Sequence, residues 1–73
     1  MTARLTRSER TVAVLVANGR SQVSIAEEQG LTRGAIHAHM LHIRQKIGAR
    51  TNEHAIALLI ARGVIGPDEI VEA

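Results

Sequence analysis

The chain has 73 residues, a formal net charge of +2, no cysteine and no Phe, Tyr or Trp. A chain this short builds one modest core, here from Val, Ile, Leu, Ala and Met alone; the missing thiols remove disulfides and thiolate metal sites, and the missing rings argue against single-stranded nucleic acid, whose binders stack bases on aromatic side chains. The longest apolar run, Ala55 to Ala61, is too short to span a bilayer, and the N-terminus lacks the apolar stretch of a signal peptide, so a cytoplasmic protein is expected.

In chain order the sequence predicts four helices and no strand. Thr6 followed by Glu9 makes a capping box, and Val12, Leu15 and Val16 form an apolar stripe that ends at Asn18-Gly19. Ser21 caps a second, short helix ending near Gln29-Gly30. Thr32 opens a third, in which Ile36, Met40, Ile43 and Ile47 recur at spacings of four, three and four until Gly48 stops it. Thr51 caps a fourth helix with Ile56, Leu59 and Ile60 turned inward, closed by Gly63. The domain is expected to occupy residues 1–65, with 66–73 as an acidic tail, and the stretch from Val64 to Ala73, which contains Gly66-Pro67, is expected to be partly loose.

The window from Gln22 to Leu41 has the order of demands of a helix-turn-helix. Ile25 and Ala26 pack the first helix, Gly30 takes the left-handed turn, Leu31 is expected to plug the corner, and Thr32 caps the second helix ahead of its first buried residue, Ile36. In this design the second helix lies in the major groove of duplex DNA. Charge is placed to match. Residues 31–50 carry Arg33, Arg44, Lys46 and Arg50 with no acid, and residues 1–20 carry four arginines against Glu9, whereas residues 51–73 carry Arg62 against four acids.

Helical periodicity then draws the reading face. With Ile36, Met40, Ile43 and Ile47 inward, the opposite side presents Gly34, Ala38, Leu41 and Gln45, with His37 and Arg44 on one shoulder. Gly34 and Ala38 permit close approach to base edges, Ala38 or Leu41 suits a thymine methyl, and Gln45 suits adenine. Arg33 is the candidate for a guanine contact or phosphate clamp at the helix start, with Thr32 beside it. Arg44 and Lys46 are expected to grip phosphates.

Metal and catalytic readings find less support. His37 and His39 point in different directions, His42 lies on a third bearing, and the i, i+4 histidine pair of zinc helices is missing. His39, at the boundary of the buried face, suits a structural hydrogen bond or a phosphate contact. No nucleophile and base stand at meaningful spacing and no glycine-rich phosphate loop occurs, so neither enzyme nor cofactor is expected.

The spacing of Leu5-Thr6, Glu9, Val12, Leu15, Ala17, Gly19, Ser21, Ile25-Ala26, Leu31-Thr32, Ile36, His39, His42-Ile43, Lys46, Gly48 and Ala55 resembles the LuxR/GerE-type DNA-binding domain, from about Leu5 to Ile65. The resemblance implies an all-α, four-helix bacterial transcription regulator that binds duplex DNA as a dimer, here a free-standing, nucleoid-associated example without a sensor or receiver domain. The departures fall on the DNA side. Val23 and Ser24 stand where relatives commonly have lysine and glutamate, and the usual Thr-Val-Lys-x-His run appears as Ala35-Ile36-His37-Ala38-His39. Asn52 replaces an arginine for which Arg50 is a substitute, and Gln29 replaces a packing leucine.

Two readings of function follow. The first is sequence-specific duplex DNA binding by a homodimer, joined through His54, Leu58 and Ala61 on the outer face of the fourth helix. For that face the competing cover is the chain's own tail, with Ile70 and Val71 lying over Leu58. The second reading is a protein-interaction module on the same scaffold, contacting a sigma factor or RNA polymerase, which the low charge of Gly34, Ala38 and Leu41 would suit.

Overall fold

A computed structural model describes residues 4–71, which hold four α-helices: α1 (Arg7–Ala17), α2 (Gln22–Gln29), α3 (Arg33–Ile47) and α4 (Asn52–Ala61), followed by a 3-10 turn, Pro67–Glu69. Each α-helix starts by the same device. Thr6, Ser21, Thr32 and Thr51 hold extended backbone, and each side-chain oxygen accepts the N–H three residues on, at 3.0–3.1 Å. Such a cap satisfies an N–H that the helix leaves orphaned and contributes about 1 kcal/mol. At α1 the box is reciprocal, since the Thr6 N–H donates to Glu9 Oε1 at 2.8 Å.

Two helices end on glycines that the geometry requires. Gly30 (φ 66°) and Gly48 (φ 72°) are left-handed, a conformation that costs a residue with a Cβ roughly 1 kcal/mol or more. Behind them the Leu31 N–H reaches Ala26 O at 2.8 Å and the Ala49 N–H reaches Arg44 O at 2.9 Å, so the chain turns without losing its last carbonyls.

The core lies around α3, which packs against each of the other three helices. Ile36, Met40 and Ile43 meet Val12 and Ala13 of α1, Ile25 and Ala26 of α2, Ala55 and Leu59 of α4, and Ile65 beyond it, all buried. Alanines at 13, 26 and 55 let the helices approach closely, which is how a chain without aromatic residues fills its interior.

Three expectations about packing change. Ile60, expected inward, is 44 % exposed: Ala55 and Leu59 take the α4 core positions, and residue 60 lies about 100° round the helix from Leu59. Leu31 is 40 % exposed and does not plug the turn; the left-handed Gly30 and the Leu31 N–H make that corner through the backbone. From Val64 to Val71 the chain is anchored rather than loose, and Glu72 and Ala73 lie outside the described residues. Ile65 is fully buried, Asn18 Nδ2 donates to the Glu69 carbonyl at 3.0 Å, the Val71 N–H donates back to Asn18 Oδ1, and Arg10 pairs with Glu69 and the Val64 carbonyl. These anchors hold the tail on α1, with Ile70 at the core margin and Val71 79 % exposed, so Val71 covers nothing on α4.

Candidate nucleic-acid interface

The outward side of α3 is built by what its other side buries. With Ile36, Met40 and Ile43 fully enclosed, periodicity leaves Gly34, His37, Leu41, His42 and Gln45 exposed and Ala38 and His39 half-buried. Arg33 is exposed at the start of the helix, beside Thr32, whose hydroxyl oxygen accepts the Ala35 N–H. Among the described residues, Arg33, Arg44 and Arg50 have no acidic partner. The first turn of α3 carries no acid either. A helix N-terminus with its partial positive charge, an unpaired guanidinium and no competing carboxylate suits an approaching polyanion.

Gly34 carries a further signal. A Cβ at this position would meet only Thr32 Oγ1, at 3.8 Å, and the backbone there is not left-handed. The fold therefore has no need of glycine at 34. An exposed glycine in a helix costs roughly 0.5–1 kcal/mol relative to alanine. What the missing side chain supplies is a smooth outer surface beside Ala38 and Leu41.

The cations divide by their contacts. Lys46, expected among the phosphate grips, donates instead to Glu9 Oε1 at 2.6 Å and to the Arg4 carbonyl at 3.2 Å, tying the last turn of α3 to α1. Glu9 is the one buried charged side chain among the described residues, 4 % exposed. Burial is the largest single influence on its carboxyl and pushes the pKa up, but the hydrogen bonds from Lys46 and Thr6 and the Lys46 charge together bring it below the ordinary value. Sequence spacing showed Glu9 as a cap and Lys46 as a surface cation; their meeting across 37 positions has no local signal. Arg44 is half-buried on the shoulder, and its Nε and the Asn52 Oδ1 are buried without hydrogen-bond partners among the described residues.

On α4 the structure separates the expected dimer residues. His54 and Ala61 are exposed and Leu58 is half-buried, while Ala57, Ile60 and Val64 widen the apolar outer surface. His54 has a local task as well, since its Nδ1 accepts the Arg50 N–H at 3.0 Å and braces the turn between α3 and α4. Exposed Ile60 is the residue sequence reasoning missed here. No group of three metal-ligating side chains is found among the described residues, and no helix there is long and apolar enough to cross a membrane.

A short helix, a three-residue turn on a left-handed glycine and an exposed, acid-free second helix form a helix-turn-helix. The family described as bacterial regulatory proteins, luxR family, matches residues 3–59. The chain belongs to that family. It is therefore a helix-turn-helix DNA-binding domain of a transcription regulator, in a family defined by binding rather than by catalysis. No curated protein and no solved structure matches it.

Proposed function

We propose that this luxR-family domain binds specific duplex DNA sites as a homodimer, with α3 in the major groove. The observation that carries the reading is the outward face of α3, where Arg33, Gly34, His37, Ala38, Leu41 and Gln45 make no side-chain hydrogen bond or ion pair within the described chain. Arg33 and Gln45 bring donors to base edges, Ala38 and Leu41 bring apolar contact to thymine methyls, and Arg44 and Arg50 hold flanking phosphates. Thr32 acts by capping the helix that carries them. The apolar side of α4, from His54 and Leu58 to Ile60 and Ala61, joins two copies and sets two reading helices about one DNA turn apart.

Leu41 supports a second reading. At 37 % exposure on a face with little charge, it also suits a groove on a partner protein such as RNA polymerase or a sigma factor. Selection from a random-sequence duplex library, followed by anisotropy titration of the enriched site, separates the two. Enrichment of one motif, bound at least about a thousandfold tighter than random duplex, is expected of specific recognition. Affinity equal on all duplexes at two salt concentrations would overturn it.

A further inference from the structure

Away from the α3 reading face, a cavity of about 360 Å³ opens between the segment before α1, α1 itself, the end of α3 and the end of α4. Its lining is sharply divided. Leu5, Ile47, Leu59 and Val64 supply aliphatic walls, and among the described residues the charged lining is Arg4, Arg10 and Arg62. Arg10 is committed to Glu69 and the Val64 carbonyl, which fixes one wall. The Arg62 guanidinium makes a single hydrogen bond, to the Ile47 carbonyl at 3.5 Å, and neither Arg62 nor Arg4 has an acidic partner among the described residues. A guanidinium has five N–H donors in a fork suited to a carboxylate, so most of this capacity is uncommitted.

We propose that this pit binds a medium-chain aliphatic carboxylate, with the head group on Arg62 and Arg4 and the chain against Leu5, Ile47, Leu59 and Val64. The occupant follows from the lining. An anion is favoured by unpaired guanidinium groups, and an aliphatic tail by four aliphatic walls with no acidic lining residue among those described. The volume holds about a dozen water-sized units at roughly 30 Å³ each, room for a chain of about eight carbons. Walls drawn from four separate segments make a pit that takes the end of a molecule, whereas a partner peptide would need a continuous groove.

The test uses the full chain with octanoate, octanol and butyrate. Methyl NMR with calorimetry is expected to show saturable octanoate binding that shifts Leu5, Ile47, Leu59 and Val64 and spares exposed Val23, Leu41 and Ile60. Octanol and butyrate should each bind about tenfold or more weaker, one lacking the charge and the other the chain. Arg62→Gln should weaken octanoate by a similar factor while the spectrum of the free protein stays folded, and Val64→Asp supplies a second variant that repels the ligand. Equal binding of octanol and octanoate, shifts spread over Val23, Leu41 and Ile60, or unchanged affinity in both variants would each overturn the proposal. None of these readouts depends on DNA.

Discussion

Lys46 Nζ lies 2.6 Å from Oε1 of buried Glu9, and the same carboxylate oxygen accepts the Thr6 N–H at 2.8 Å. One oxygen therefore closes the cap of α1 and holds the end of α3. Glu9→Gln keeps a residue that can complete the capping box but removes the charge, and it should cost about 1–3 kcal/mol of unfolding free energy. A double-mutant cycle with Lys46→Met in urea checks the pairing: the two losses should be non-additive by at least about 0.5 kcal/mol. Strict additivity would mean that the contact contributes nothing.

The same pair sets an acid limit. The folded Glu9 carboxyl lies below its unfolded value of 4.5, so its stabilisation is fully present above that pH and is lost as pH falls through the folded pKa. Wild type should therefore lose stability more steeply than Glu9→Gln as pH falls below about 4.5 and through the lowered pKa of the folded carboxyl. Parallel curves for the two proteins would show that other carboxylates govern acid unfolding.

Much of the fold was legible because its signals are local. Thr6, Ser21, Thr32 and Thr51 each act on an N–H three residues away, and Gly30 and Gly48 act on their own φ, so the sequence displays every helix start and two of the stops. The face of α3 was legible for the same reason, since Ile36, Met40 and Ile43 fix its inner side. What escaped was long-range: Lys46 with Glu9, and Asn18 with the tail. From Ala55 to Ala61 every residue of α4 is apolar, so periodicity could not separate Leu59 from Ile60 and only packing against α3 decides.

Asn18 makes a prediction about that tail. Its side chain donates to the Val14 and Glu69 carbonyls and accepts the Val71 N–H. Asn18→Ala should cost about 1–2 kcal/mol and release the Val71 amide to fast hydrogen exchange while the amides of α3 stay protected. A Val71 amide that exchanges equally fast in wild type and variant would place the anchor elsewhere.

Gly34 separates folding from binding. Its Cβ position is open, so Gly34→Ala should raise stability by roughly 0.5–1 kcal/mol. On the proposed reading face the same methyl intrudes between helix and groove, and affinity for the selected DNA site should fall. Thermal unfolding and DNA titration of one variant read both quantities. A variant that is more stable and binds as well as wild type would show that the groove does not approach residue 34.

The apolar side of α4 tests assembly. Ile60→Arg places a charge on a residue already 44 % exposed, so the monomer should lose little stability, but a dimer through this face should dissociate. Sedimentation at high micromolar concentration should show wild type as a dimer and the variant as a monomer with weakened DNA binding. A wild-type chain that sediments as a monomer under those conditions, and stays monomeric on DNA, would rule out this assembly.

The cations of α3 and its following turn should divide into three kinds. Arg33, exposed and unpaired at the helix start, is proposed to reach a base edge; Arg50, exposed in the turn, to hold a phosphate; and Lys46 to remain on Glu9. Arg33→Ala should then cost about 1–3 kcal/mol on the selected site and less on random duplex. Arg50→Ala should weaken both DNAs alike and reduce the slope of log affinity against log salt by about one unit, because one fewer phosphate is neutralised. Lys46→Met should leave that slope unchanged, its effect appearing in unfolding instead. His37→Lys, which restores a fixed charge on the shoulder of α3, should steepen the slope by about one unit. Titrations of the selected and random duplexes at two salt concentrations measure all four variants. A reduced slope for Lys46→Met would mean that the ammonium leaves Glu9 for the backbone of DNA, and equal losses on both duplexes for Arg33→Ala would make Arg33 a phosphate contact.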